Sequence, residues 1–495
     1  MTSSNYQNSS VDLDSTYILG NDPNYIGIQS AVTNRKTVVF GQQLLTQTYP
    51  VGNLNNAINY AQTLPSISVD QDSTTITGVG PTAVFYKSRA NASQSLIRAS
   101  FNLLENSPQT PIWQTGNTIA VISSPLQVGS SSNWTQVATN EYATTISFAL
   151  QNNGTLWGCG YSGRGALGNN STFGDFSFFI QPLGPDATGP TNSWAQVASA
   201  AFTLATQSNG TLWSWGYNLS GEAGTNTTSS SSSPVQVGSA LWSKIACAYF
   251  CSAAIQSNGT LWAWGTNRNG QIGNNSTQIT PSFSSPVQIG TQSYWASVFV
   301  GQQNNFAIQS NGTLWGWGSN GSGRMGNNTS ASFSSPVQVS TLSNWSQVSC
   351  GYNHNQGILS NGTLWGWGAN TFGQIGNNSR VSAVSSPAQI GSLSTWVQVA
   401  SGLNYSMAIQ SDGTLWTWGI SSLGRLGLNT TTDYSSPVQI GPYSNWSKVA
   451  CASNYSLAIQ SNGTLWAWGN NSWGQFGQLG LQPTAISVTK VTYGL

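Results

Sequence analysis

Charge is what this chain most lacks. It has thirteen basic and twelve acidic residues among 495, so it is 5% charged with a net charge of +1. A typical soluble protein is about 25% charged. So neutral a surface offers no footprint for DNA, RNA or anionic lipid, which excludes nucleic acid as a partner. Histidine is nearly absent too, with His354 alone. Acid–base chemistry needs ionisable groups within hydrogen-bond reach of one another. After residue 115 the acids are Glu141, Asp175, Asp186, Glu222, Asp412 and Asp433, scattered over different parts of the chain. There is no G-x-S-x-G, H-E-x-x-H or phosphate-loop motif. The expectation is a protein that is not an enzyme and uses no cofactor or metal.

Long apolar runs are missing as well, which argues against membrane insertion. The opening "MTSSNYQNSSVDLDSTYILG" lacks the basic and apolar regions of a secretory signal. Five cysteines, an odd number, suggest no disulfide framework. Cys247, Cys350 and Cys451 each fall five residues after a recurring Trp, where Ser199 and Ser401 stand in other copies. They read as small buried residues on inner strands. Cys159 and Cys251 lack partners at metal-ligand spacing.

What the chain has is aromatics, with 22 Trp, 17 Tyr and 16 Phe, which excludes disorder. It also has a repeat. "AIQSNGTLWAWGNN" (458–471) has close variants upstream, with turn glycines at Gly154, Gly210, Gly259, Gly312, Gly362, Gly413 and Gly463. The intervals of 49 to 56 residues fall in the range of propellers and solenoids. Each copy runs W-x-x-V/I, a short apolar run, N-G-T-L-W-x-W-G, then S-S-P-V-Q-I-G or a relative. Asn-Gly (Asp-Gly at Asp412) between apolar runs predicts a hairpin with positive φ at both turn positions. "TLWAW" places Trp466 and Trp468 on one strand face, Leu465 and Ala467 on the other. Apolar residues on both faces suit a strand sandwiched between neighbouring sheets. Proline in S-S-P sends that strand to an outer edge. Four strands per unit and seven units predict a closed propeller. Edge pieces at both ends, "SSPLQVG" (123–129) and "LQPTAIS" (481–487), suggest that the two chain ends close the ring. Because the six N-G-T sequons all sit in hairpins, turn chemistry explains them better than glycosylation.

"GYNHNQGILSNGTLWGWGANTFGQIGNN" (351–378) resembles the repeat of the regulator of chromosome condensation family, over roughly residues 120–495. The resemblance implies an all-β fold, a seven-bladed β-propeller over 116–495, here with a small N-terminal α+β domain or arm at 1–115. The family's frequent His occurs once, as His354; Tyr405, Tyr455, Asn304 and Cys251 fill the slot elsewhere, so packing is its expected role. Members of the family serve as exchange factors, photoreceptors, inhibitors and adhesive modules, so fold alone does not assign function. Nucleotide exchange would require a polar interface and basic segments that this chain lacks. Ultraviolet sensing would require charged residues around a Trp cluster, whereas these Trp belong to the repeat and read as core.

Before residue 116 the repeat is absent. "NLNNAINYAQTLP" (53–65) and "SQSLIRASFNLLENSP" (93–108) have helical spacing with a terminal Pro. In the second, Leu96, Ile97, Phe101 and Leu104 share a face. "TVVF" (37–40) and "TAVFY" (82–86) read as strands, and Asp70 and Asp72 as a solvated loop.

The uncharged Asn-, Ser-, Thr- and Gly-rich composition is similar to that of virion structural proteins. The resulting expectation is a virion appendage, fibre or capsid-decoration protein, assembled in a host cytoplasm. Residues 1–115 would join other virion proteins, and propeller loops would bind a host surface glycan or protein. The alternative is a secreted or cell-surface binding propeller similar to the family's β-lactamase inhibitor protein. Between W-G and the G-x-x-G close, one position varies: Arg164, Ser220, Asn269, Ser322, Phe372, Leu423, Trp473. Loops on a rigid scaffold commonly carry recognition. The candidate binding residues are Phe173, Asp175, Phe176, Phe178, Arg268, Arg324, Phe372 and Trp473.

Overall fold

The structure, a computed structural model, describes residues 121–139, 145–161, 163–172, 175–184, 191–276 and 282–477, together with seven strands before residue 100. Two units separate, residues 1–118 with 481–495 and residues 119–480. In the first, Thr16–Leu19, Ile26–Ser30, Lys36–Phe40, Val84–Ala90 and Ser93–Ala99 form an antiparallel sheet in that order, and Ile67–Val69 pairs with Ile76–Gly78. The helix expected over 93–108 is corrected here. Ser93–Ala99 is a strand paired with Val84–Ala90, in register from Ala90↔Ser93 to Val84↔Ala99. Adjacent Leu96 and Ile97 satisfy either period, and hairpin pairing with a β-rich neighbour outweighs the local helical spacing. Residues 53–65, 100–108, Asp70 and Asp72 lie outside the described residues.

The second unit is a ring of seven four-stranded antiparallel blades. Blade one comprises Trp134–Thr139, Ile146–Gln151, Leu156–Tyr161 and Asp175–Ile180. Blades two and three share one long strand, Ser231–Ala248, the fourth of one and the first of the next. Blades four to six begin at Trp295, Trp345 and Trp396. Blade seven has three consecutive strands, and its fourth is Val121–Val128 from the start of the unit, in register from Leu465↔Val128 to Asn470↔Val121. The ring is thus closed by strands from both ends of the unit; 481–487 lies outside the described residues. As the proline requires, S-S-P strands lie on sheet edges, except where the second continues into blade three.

The repeat is a set of clasps between blades. The N-G-T turn reaches forward, and its glycine carbonyl accepts the N–H of the Trp that opens the next blade. Trp194 N donates to Gly154 O at 3.0 Å, Trp396 N to Gly362 O at 3.0 Å, and Trp134 N to Gly463 O at 3.1 Å across the closure. The second Trp of L-W-x-W-G reaches backward into the preceding G-x-x-G loop. Trp367 Nε1 donates to Arg324 O at 3.0 Å and Trp418 Nε1 to Gln374 O at 2.9 Å. A buried polar side chain of the next strand bonds the same carbonyl, Asn355 Nδ2 at 2.7 Å and Ser406 Oγ at 2.9 Å. A third clasp uses an Asn with positive φ after the loop. Asn328 N donates to Ser385 O and Asn378 N to Ser435 O, on the next blade's S-S-P strand. Each neutral bond contributes about 1 kcal/mol net, but leaving such a buried group unpaired costs more.

The hairpin differs in one respect from its sequence reading. The glycine has positive φ, +80° at Gly362, but the preceding Asn does not. Gln151 N bonds Thr155 O and Gly154 N bonds Gln151 O, which gives a four-residue turn with a glycine bulge rather than a two-residue turn. Asn is there for its side chain. Asn153 Oδ1 accepts Thr155 N at 3.0 Å and Thr155 Oγ1 at 2.7 Å, and Thr155 Oγ1 accepts Trp157 Nε1 at 3.1 Å. Asp412 supplies the same acceptor to Thr414.

Blade one breaks the Trp pattern and compensates. Cys159 stands where the other blades have Trp, with Sγ donating to Gln475 O at 3.3 Å. Phe179 fills the vacated volume, 5.6 Å from the Trp134 ring and beneath Gly477. His354 sits in a slot that bridges blades. Its Nε2 lies 2.9 Å from Ser406 Oγ, as Tyr405 Oη lies 3.0 Å from Ser456 Oγ and 2.6 Å from Tyr455 O. Burial pushes the His354 imidazole down to about 3, so it is neutral at physiological pH.

Candidate functional site

Because blade strands alternate in direction, two sets of turns face each end of the ring. The N-G-T hairpins share one end with the blade-to-blade linkers. The other end carries the turns between first and second strands and the loops between third and fourth. The variable position lies in those last loops, on a framework fixed by the clasps.

One residue sets each loop's conformation, the first x of G-x-x-G: Ala166, Glu222, Gln271, Arg324, Gln374, Arg425 and Gln475. Where it is Glu or Gln, its oxygen accepts the N–H of the variable residue two places back. The contacts are Glu222 to Ser220 N at 2.6 Å, Gln271 to Asn269 N at 2.7 Å, Gln374 to Phe372 N at 2.9 Å and Gln475 to Trp473 N at 2.9 Å. Where it is Arg, the guanidinium bonds the carbonyl on the other side of that same peptide. Arg324 Nε donates to Gly321 O at 2.9 Å and Arg425 Nε to Ser422 O at 2.8 Å. The peptide is therefore reversed in the Arg loops, and the variable residue moves to positive φ, 57° at Ser322 and 60° at Leu423. An acceptor draws the N–H inward, whereas a donor draws the carbonyl. Ala166 has no such group, and Arg164 adopts φ 59°.

Glu222 is the acidic member of this set. Its side chain is fully buried, and Oε1 has no hydrogen-bond partner. Burial raises its carboxyl from 4.5 to about 7, opposed by backbone bonds and the nearby Arg164 charge.

The expected binding residues do not form a single patch. Phe372 and Trp473 are exposed at the variable position of blades five and seven, and Arg268 is exposed in the blade-three loop. Arg324 is 8% exposed and tied back to Gly321 O and, at 3.4 Å, to Gln303 Oε1. It braces its loop and presents no free cation. Phe176 and exposed Phe178 pair edge to face at 6.2 Å on the outer strand of blade one. Phe173 and the Asp175 side chain lie outside the described residues.

Around Trp473 the structure assembles residues that the sequence reading missed as a group. Its ring lies 5.5 Å from Tyr161 of blade one, and the two are 47% and 37% exposed. Gly163 rests against the Tyr161 ring, and the next residue is exposed Arg164. The Arg164 guanidinium lies 4.5 Å over the Tyr217 ring of blade two, which stacks at 5.1 Å on Phe250 of blade three. The result is an arc of aromatic rings and one cation across four blades. A signal for it was available in the repeat. After the W-x-W-G glycine, or its C-x-G equivalent, stand Tyr161, Tyr217, Thr266, Ser319, Ala369, Ile420 and Asn470, so aromatics occur only in the two blades that follow Trp473 around the ring.

These features define a closed seven-bladed propeller with recurring clasps on its frame and variable loops on one end. The chain belongs to the RCC1-like domain family, whose model matches residues 114–446. Its fold is similar to that of human WBSCR16, with TM-score 0.57, 18% identity and coverage of 70% of this chain and 89% of that one. It is similar also to Prp20p from Saccharomyces cerevisiae, with TM-score 0.55, 18% identity and coverage of 72% and 84%; that protein was described with its binding to Gsp1p and histones. Yeast RCC1 (Prp20) in its complex with Kap60 matches with TM-score 0.58, 16% identity and coverage of 79% and 99%. At such identities the likeness concerns the fold. No curated protein matches the sequence.

Proposed function

We propose that the protein is a non-enzymatic recognition propeller of a virus particle. Residues 1–115 attach it to other virion proteins, and the loop end of the ring contacts a host surface glycan or protein. The observation that carries the recognition role is the partly exposed arc from Trp473 to Phe250, built on loops whose frame is fixed. The buried ionisable groups Glu222, His354 and Tyr405 brace loops or bridge blades, which supports binding over catalysis. The neutral, amide-rich composition supports the virion setting. Mass spectrometry of purified particles should find the chain, and deletion of 1–115 should leave a folded propeller that is not incorporated. Labelled full-length chain should bind host cells. Absence from particles, or normal incorporation of the truncated chain, refutes the virion role; absence of cell binding refutes the recognition role.

A further inference from the structure

We infer that the arc around Arg164 is a receptor for a carboxylated saccharide, with Arg164 taking the carboxylate and Trp473 and Tyr161 taking the face of a sugar ring. The inference rests on the recognition role proposed above and names its ligand class.

Arg164 is exposed, and no protein acceptor takes its guanidinium N–H groups among the described residues. It is nonetheless held in place. Its backbone sits at φ 59°, sparsely populated for a side chain of this size, and its guanidinium carbon lies 4.5 Å from the centre of the Tyr217 ring. Phe250 stacks on that Tyr ring at 5.1 Å and helps to hold it in place. A guanidinium anchored over an aromatic ring and bonded to no protein acceptor among the described residues keeps its N–H groups for a planar anion, and bidentate pairing with carboxylate is the geometry it favours.

The rest of the arc supplies the second half of the recognition. Trp473 and Tyr161 lie 5.5 Å apart and remain partly exposed, and Tyr161 packs on Gly163, the residue before Arg164. Exposed aromatic faces beside polar groups suit the C–H faces of pyranose rings. The nearby acid Glu222, which feels the Arg164 charge, is fully buried with Oε2 accepting Ser220 N, and burial favours its neutral form, which limits its repulsion of an anion. An aromatic wall next to one exposed cation, on a chain with net charge +1, matches a sugar bearing a single carboxylate better than a polyanion.

Carboxylated saccharides come from two sources, uronates and sialic acids, and the test separates them. Full-length protein would be titrated by calorimetry with methyl galacturonoside and its methyl ester, and with 3′-sialyllactose and its methyl ester. At least one acid should bind about tenfold or more tighter than its neutral counterpart, the difference expected of a charge-assisted pair. Arg164→Asn keeps a residue that tolerates positive φ and should abolish the preference for the acid. Trp473→Ala should weaken both members of the pair. Melting temperatures of both variants should stay close to that of wild type. Equal binding of acid and neutral forms, or an acid preference that survives Arg164→Asn, overturns the inference. If host-cell binding persists in both variants, the recognition role stands and this ligand assignment fails.

Discussion

Replacing Glu222 by Gln tests the loop logic and the electrostatics together. Gln occupies the same slot in three sister loops, where it accepts the same N–H, as Gln271 does from Asn269 at 2.7 Å. The substitution therefore retains the bond to Ser220 and removes the titrating proton. Glu222 is an acid whose folded-state pKa is raised, from 4.5 to about 7, because burial disfavours its charged form. The native state thus holds the proton more tightly than the unfolded chain does. This contribution to stability is complete below about 4.5 and is lost as the pH climbs through about 7. At about 1.4 kcal/mol per tenfold change in proton affinity, the full loss approaches about 3 kcal/mol, an upper bound. For a ring of this size the melting entropy is roughly 0.7–0.8 kcal/mol per degree, so the shift is about 2–4 °C. Thermal melts of wild type and Glu222→Gln at pH 4 and pH 8 would measure it. The curves should coincide at pH 4, and at pH 8 the variant should melt about 2–4 °C higher. A constant difference at both pH values, or none at either, would refute the assignment of a buried, protonated Glu222.

Gly362→Val should destabilise by several kcal/mol, since φ is +80° and a Cβ would meet Ser394 O at 2.2 Å. An unchanged melting temperature would contradict both the turn and the clasp. Arg324→Gln should reverse the Gly321–Ser322 peptide and move Ser322 out of positive φ, at a stability cost of about 1–2 kcal/mol. A crystal structure of the variant retaining φ near 57° would show that the slot residue does not select the loop. Cys159 and Cys251 should resist alkylation in the folded protein, since both are fully buried, which pushes Cys251 up to about 12 and the Cys159 thiol higher still. Rapid labelling of either residue in native protein by iodoacetamide at pH 8 would refute their burial.

Much of the ring was legible in the sequence because its clasps use fixed residue types at fixed spacing. Trp, Asn-Gly, S-S-P and G-x-x-G each recur where a neighbouring blade needs a donor, a bulge, an edge or a close approach. The closing strand was half legible, since the surplus S-S-P at 123–125 marked an extra edge piece without showing its partner. The Asn of the turn was misread because positive φ and a side-chain acceptor favour the same residue. Arg324 was misread for a related reason. Its loop position resembles that of exposed Arg268, but only three-dimensional geometry shows the guanidinium folded back on Gly321. The arc from Trp473 to Phe250 joins residues from four blades, and neighbours on a ring are not neighbours in a linear alignment. Ser93–Ala99 shows the same limit at shorter range, because its pairing partner decided between two periods that the strand itself allowed.

The closing strand also gives the molecule a mechanical weak point. Val121–Val128 is held by main-chain pairing to Leu465–Asn470 and by the Ser123–Asn429 contacts to blade six. Tension arriving from the preceding residues meets this strand first, at Val121. Peeling would proceed from Val121 toward Val128, rupturing bonds in sequence rather than all at once. Once it is free, blade seven loses its outer edge and the third-clasp acceptor for Asn429, while the first six blades keep all four strands. A pulled molecule should therefore yield in two stages, a short extension as the latch strand releases and then a larger one as the blades come apart.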